Sequence, residues 1–88
     1  MEQDKFDQAK PVLERICKAN NEIDLLRKDI AWEYGRLSVR LQESGFEVTK
    51  EVERIYKDID RLFNKKSTLE VENNERKKVL NNLLGINI

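Results

Sequence analysis

The chain has 88 residues, 39% of them charged, with only 3 Gly and 1 Pro; this sets a ceiling of one domain and suits long helices rather than sheets or loops. Its 17 basic and 17 acidic residues cancel, which removes the simplest case for a nucleic-acid partner but leaves room for a local basic stripe. With no His and a single Cys17, imidazole catalysis, the usual zinc site and an internal disulfide are excluded.

A lone thiol suits a reducing compartment. No apolar run approaches the roughly 18 residues that a membrane span needs, and the start, Met1-Glu2-Gln3-Asp4, lacks the character of a signal peptide. The expected setting is cytoplasmic, without a membrane.

In chain order, residues 1–10 carry weak signals. Pro11 fits the first turn of a helix, where its missing N–H costs nothing. A helix is predicted over about 11–44. Leu13, Ile16, Ile23, Leu26, Ile30, Tyr34, Leu37 and Leu41 recur at helical spacings on one face. Its later part repeats at eleven residues (Ile23 with Tyr34, Leu26 with Leu37, Ile30 with Leu41), about 3.67 residues per turn, which predicts a straight or slightly right-handed segment. Asn20 falls on this seam, and Gly35, costly inside a helix by about 1 kcal/mol, marks a place for close helix–helix approach.

The turn is predicted at 45–49. Gly45 reaches the left-handed conformation without strain and ends the first helix. Thr49 is placed to cap the next one, with Glu51 and Glu53 in its first turn. Phe46 and Val48 are expected to dock the turn onto the helices. The return arm carries two interleaved heptad series: Val52, Ile59, Lys66, Asn73, Leu80 and Ile55, Leu62, Leu69, Arg76, Leu83. The unbroken register argues for one helix from 50 to 84. Ser67-Thr68-Leu69-Glu70 matches a capping box and argues for two, about 50–65 and 68–84, with a break between Asn64 and Ser67. The break is the preferred reading. Gly85 ends the last helix and 86–88 form a short tail.

The expected fold class is therefore all-α: a long antiparallel helical hairpin, coiled-coil-like, with room for a third helix, assembled as a dimeric helical bundle. A thin hairpin buries little surface alone, and a symmetric homodimer is the economical remedy. The expected oligomer interface is the seam: Ile23, Leu26, Ile30, Tyr34, Leu37, Ile55, Ile59 and Leu62. Asn20, Lys66 and Asn73 would set register and oligomeric state.

Enzyme chemistry finds little support. Asp58 with Asp60, and Glu51 with Glu53, are two apart and point about 200° apart on a helix. Glu70, Glu72 and Glu75 lack the His partners of a di-iron bundle. Cys17 reads as a small hydrophobe rather than a nucleophile. No catalytic residue, metal or cofactor is expected.

The basic spacing is more informative. Lys50, Arg54, Lys57 and Arg61 are separated by four, three and four residues, at outward heptad positions opposite the apolar seam, with Lys65 four further on. Such a row can follow a phosphate backbone, each contact releasing counterions. Lys66 extends the patch, and Arg36 and Arg40 lie near the same end of the first arm. A solvated face dressed with i, i+4 ion pairs accounts for such a pattern about equally well. That plain reading is preferred for Arg76-Lys77-Lys78.

Asp29-Ile30, Tyr34, Gly45-Phe46-Glu47-Val48, Lys50, Val52, Arg54-Ile55 and Lys57 resemble the pattern of the GapR-like chromosome-associated proteins. Length and layout are also similar to the small DsbA-type DNA-binding proteins of T-even-type phages. The match covers about residues 23–61. In that group a long helix with a D-I-x-x-x-Y element leads through a G-F-[DE]-V turn to a basic helix, and the chains form dimers or tetramers around DNA. The resemblance implies double-stranded DNA as partner, Lys50, Arg54, Lys57 and Arg61 as phosphate contacts and the seam residues as oligomer interface.

The leading expectation is a small non-enzymatic double-stranded-DNA-binding protein, chromatin-associated or active in transcription regulation, of the kind a phage encodes. No cluster at a helix N-terminus offers direct base readout, so the grip would be on phosphates. The alternative is a coiled-coil protein–protein interaction module (an adaptor, an assembly factor or a phage inhibitor of a host protein) that meets its partner through Trp32, Tyr56 and Phe63.

Overall fold

The computed structural model describes residues 2–85, with side chains from Asp4 onward. The fold is all-α, a helical hairpin: α1 spans Glu2–Glu43 and α2 spans Lys50–Leu84. The expected tail at 86–88 lies outside the described residues. No described helix is long and apolar enough to cross a membrane.

Two corrections concern helix bounds. First, α1 begins at Glu2, and Pro11 lies inside it. A proline there leaves the carbonyl four residues back, at Asp7, without its ladder donor. Both residues are exposed, so water can serve that carbonyl. Ala9, with 0% exposure, shows what holds the extra turns in place: they carry the buried face onward past the proline. Second, α2 is continuous, so the expected break between Asn64 and Ser67 is absent, as is a third helix among the described residues. The heptad register wins over the local capping signal because Leu62, Lys66, Leu69 and Asn73 remain on the covered side of the helix. Lys66 is half-buried at this position, with Nζ 5.4 Å from the centre of the Phe63 ring.

The helices contribute to two compact units, residues 1–23 with 68–88 and residues 24–67. In the first, Ala9, Ile16, Ala19 and Ile23 of α1 are buried, as is Asn73 of α2. The Asn73 amide donates to Asn20 Oδ1 across the helices at 2.8 Å. Asn73 is 2% exposed, and its own Oδ1 accepts nothing. In the second unit Leu37, Val52, Ile55 and Ile59 form the core, with Leu41 against it and Leu26 and Ile30 also buried.

Of the eleven-residue pairs on α1, Leu26 with Leu37 and Ile30 with Leu41 lie on the covered face and only Tyr34 departs, but a heptad describes the longer run. The buried residues Ala9, Ile16, Ile23, Ile30 and Leu37 are each seven apart, and so are Ala19 and Leu26. Counting only large apolar residues hid the two alanines, which are core positions here. Leu13 and Tyr34, expected on the seam, are 41% and 48% exposed.

The turn follows its chemistry closely. Gly45 has φ +68°, its N–H donates to the Gln42 carbonyl (3.3 Å), and the Phe46 N–H donates to the Leu41 carbonyl (2.6 Å). This pair of bonds satisfies the Leu41 and Gln42 carbonyls at the end of α1 in a Schellman arrangement. Thr49 Oγ1 accepts from the Val52 N–H at 3.2 Å and caps α2. Phe46 and Val48 do not dock: they are 73% and 75% exposed, and Phe46 holds φ +65°. The Schellman bond fixes the Phe46 backbone, and the ring is left facing solvent.

Candidate nucleic-acid interface

Because α2 is unbroken, Lys50, Arg54, Lys57, Arg61 and Lys65 sit on one regular helix face, and all five are exposed. The row spans about 22 Å at 1.5 Å per residue. Four of the five, Lys50, Arg54, Lys57 and Lys65, make no ion pair within 4.0 Å among the described residues. Arg61 has only a long contact to Asp58, at 3.9 Å.

Of the neighbouring acids, Asp58 keeps its long contact to Arg61 and Asp60 is exposed. Glu51 turns to α1 and meets Arg40 Nε at 3.0 Å. Glu53 lies beside the groove described below. Asp58 is half-buried. The first turn of α2 thus keeps its acids for the dipole and presents its cations outward.

The cations expected to extend the patch behave differently. Arg36 pairs with Glu33 at 3.1 Å. Arg40 pairs with Glu43 at 2.9 Å as well as with Glu51. The hydrogen bond to Glu43, and then the charge of Glu51, hold the Arg40 guanidinium still further above its ordinary value. These two arginines are neutralised in place, and Lys66 is half-buried at a seam position. The basic face is confined to Lys50–Lys65.

The residues expected at an oligomer interface divide. Ile23, Leu26, Ile30, Leu37, Ile55 and Ile59 are buried within this chain, and Leu62 is half-buried. Tyr34 remains exposed. The three aromatics expected at a protein partner are on the surface: Trp32 70%, Tyr56 64% and Phe63 41% exposed.

Two features escaped the sequence reading. Leu37, Leu41, Val48, Val52 and Tyr56, with the stems of Glu53 and Lys57, line an apolar groove of about 420 Å³. Leu25, Trp32 and Val39, 60%, 70% and 51% exposed, form a second apolar stripe on α1. The second was legible as a spacing of seven; the first depends on where the turn places Val48. Among known proteins, no family model, curated protein or solved structure matches this chain.

Proposed function

We propose that this chain is a small double-stranded-DNA-binding protein that grips phosphates with the outer face of α2. The observation that carries the reading is the contrast in charge pairing. Arg27, Arg36, Arg40, Arg76 and Lys78 all sit within 3.6 Å of a carboxylate, whereas Lys50, Arg54, Lys57 and Lys65 do not. Arg15, Lys18, Lys28 and Lys77 also lack an ion pair among the described residues, but only the α2 cations recur at three- and four-residue spacing along one face. A face dressed for solvent would be expected to carry i, i+4 partners. A face of unpaired cations on a neutral chain concentrates positive potential where a polyanion can use it. The resemblance of residues 23–61 to GapR-like proteins points the same way.

The test is charge reversal. Lys57→Glu with Arg61→Glu is expected to abolish binding to a random duplex while circular dichroism still reports the wild-type helix content. Normal binding by that double variant would overturn the reading.

A second reading rests on the groove beside Tyr56. Its walls are almost wholly apolar, which suits an apolar helix of another protein. Under that reading Tyr56→Lys abolishes partner capture, and binding is indifferent to salt.

A further inference from the structure

We infer that the outer face of α1 between Leu25 and Val39 is where a second copy of this chain docks, antiparallel, about a two-fold axis at Trp32. The inference is independent of the DNA reading.

Leu25, Trp32 and Val39 are each seven residues apart and point away from the seam that Leu26, Ile30 and Leu37 fill. The helix therefore has two apolar faces, and the second is left exposed among the described residues. Trp32 and Val39, with Ala31, Gly35, Arg36 and Arg40, wall a shallow depression of about 440 Å³. Gly35 is the telling residue. A Cβ placed there would meet nothing within 4 Å, so no contact inside the chain requires a glycine, yet one at mid-helix costs about 1 kcal/mol against alanine. A glycine beside an exposed tryptophan lets a second backbone come close.

Charge selects the occupant and the register. With Leu25, Trp32 and Val39 at the first heptad position, Gly35 falls on the same seam and Asp29 and Arg36 fall on one flank. A perpendicular two-fold axis brings like flanks together, as an isologous contact requires. Placed at Trp32, it sets Trp32 on its own copy, Leu25 on Val39 of the other chain, and Asp29 within a residue of the level of the other chain's Arg36. Symmetry makes that ion pair twice. Sliding by one heptad either way leaves one apolar residue of each chain unmatched and separates Asp29 from Arg36. Asp29 has no ion-pair partner among the described residues, and Arg36 meets Glu33 through Nη1 alone, which leaves Nε and Nη2 to donate to a second carboxylate. The basic face is on α2, on the far side of the seam from this stripe, and remains clear.

Sedimentation equilibrium of the wild type is expected to show a dimer. Trp32→Lys with Val39→Lys should weaken it by at least about 30-fold, the scale of a lost hot spot, with helix content retained. Gly35→Leu separates docking from folding, because a leucine in the open space at position 35 favours the helix. It is expected to raise the melting temperature while weakening the dimer. Tyr56→Lys is expected to leave the dimer intact. In a Cys17→Ser background, an equal mixture of Leu25→Cys and Val39→Cys chains should cross-link, and neither chain alone should. A monomeric wild type, a dimer indifferent to Gly35→Leu, or loss of the dimer through Tyr56→Lys would each overturn the inference. Cross-linking of Leu25→Cys with itself would overturn the antiparallel register.

Discussion

Gly45 and Phe46 stand side by side with nearly the same positive φ, +68° and +65°, and only one of them is built for it. An L-residue in this conformation gives up roughly 1–2 kcal/mol. Gly45→Ala is therefore expected to destabilise by about 1 kcal/mol. Phe46→Asn is expected to do the opposite, by about 0.5–1 kcal/mol, because asparagine tolerates the left-handed region and the 73% exposed ring leaves little burial to lose. Urea unfolding of the two variants checks both signs; a less stable Phe46→Asn would mean that the ring contributes to the turn after all. Gly45 and Thr49 were legible from the sequence because their roles are local: a backbone angle and one hydroxyl acceptor. The fate of Phe46 was not, because it depends on the Schellman bonds on either side.

Along each helix the decisive signal is the heptad, and it was read correctly only where large residues carry it. On α2 the series from Val52 to Leu83 was plain, yet the capping box at 67–70 carries more weight in the sequence and predicts a break; the continuous helix shows the register prevailing. Ser67 is exposed in mid-helix, so Ser67→Ala is expected to be neutral or to stabilise by a few tenths of a kcal/mol. A working N-cap would instead lose about 1 kcal/mol. Thermal unfolding distinguishes the two. On α1 the same period passes through Ala9 and Ala19, which composition-minded counting overlooks, and across Pro11, which reads as a start. Burial inside the 1–23 and 68–88 unit also bears on Asn73. Its amide has one partner and its carbonyl none, so it occupies a leucine position with a half-satisfied polar group. Asn73→Leu is expected to raise stability by roughly 1 kcal/mol. Asn20, being exposed, can turn to water. A loss of more than about 1 kcal/mol on that change would show that the amide pair itself holds the helices in register.

At the level of the whole molecule, net charge is the wrong statistic. The sum of 17 and 17 opposite charges is zero, but its distribution is uneven. Acids pair with Arg27, Arg36 and Arg40 of α1 and with Arg76 and Lys78 of α2, and among the cations without an ion pair Lys50, Arg54, Lys57 and Lys65 share one face of α2. The row itself was legible as a spacing of four and three. Which cations are neutralised was not, because Arg40 meets Glu51 only once the turn has brought α2 back against α1. The eight apolar residues expected between chains were legible as a face but not as an interface, since the chain's own helices bury six of them.

Binding of a phosphate backbone by the α2 face is tested by fluorescence-anisotropy titration of a random duplex of about 30 base pairs across a salt series. Five phosphate contacts per chain predict a slope of about −4.5 in log K against log salt, and hence a fall of roughly 500-fold between 50 and 200 mM. No binding at low salt, or binding that salt does not weaken, would contradict it.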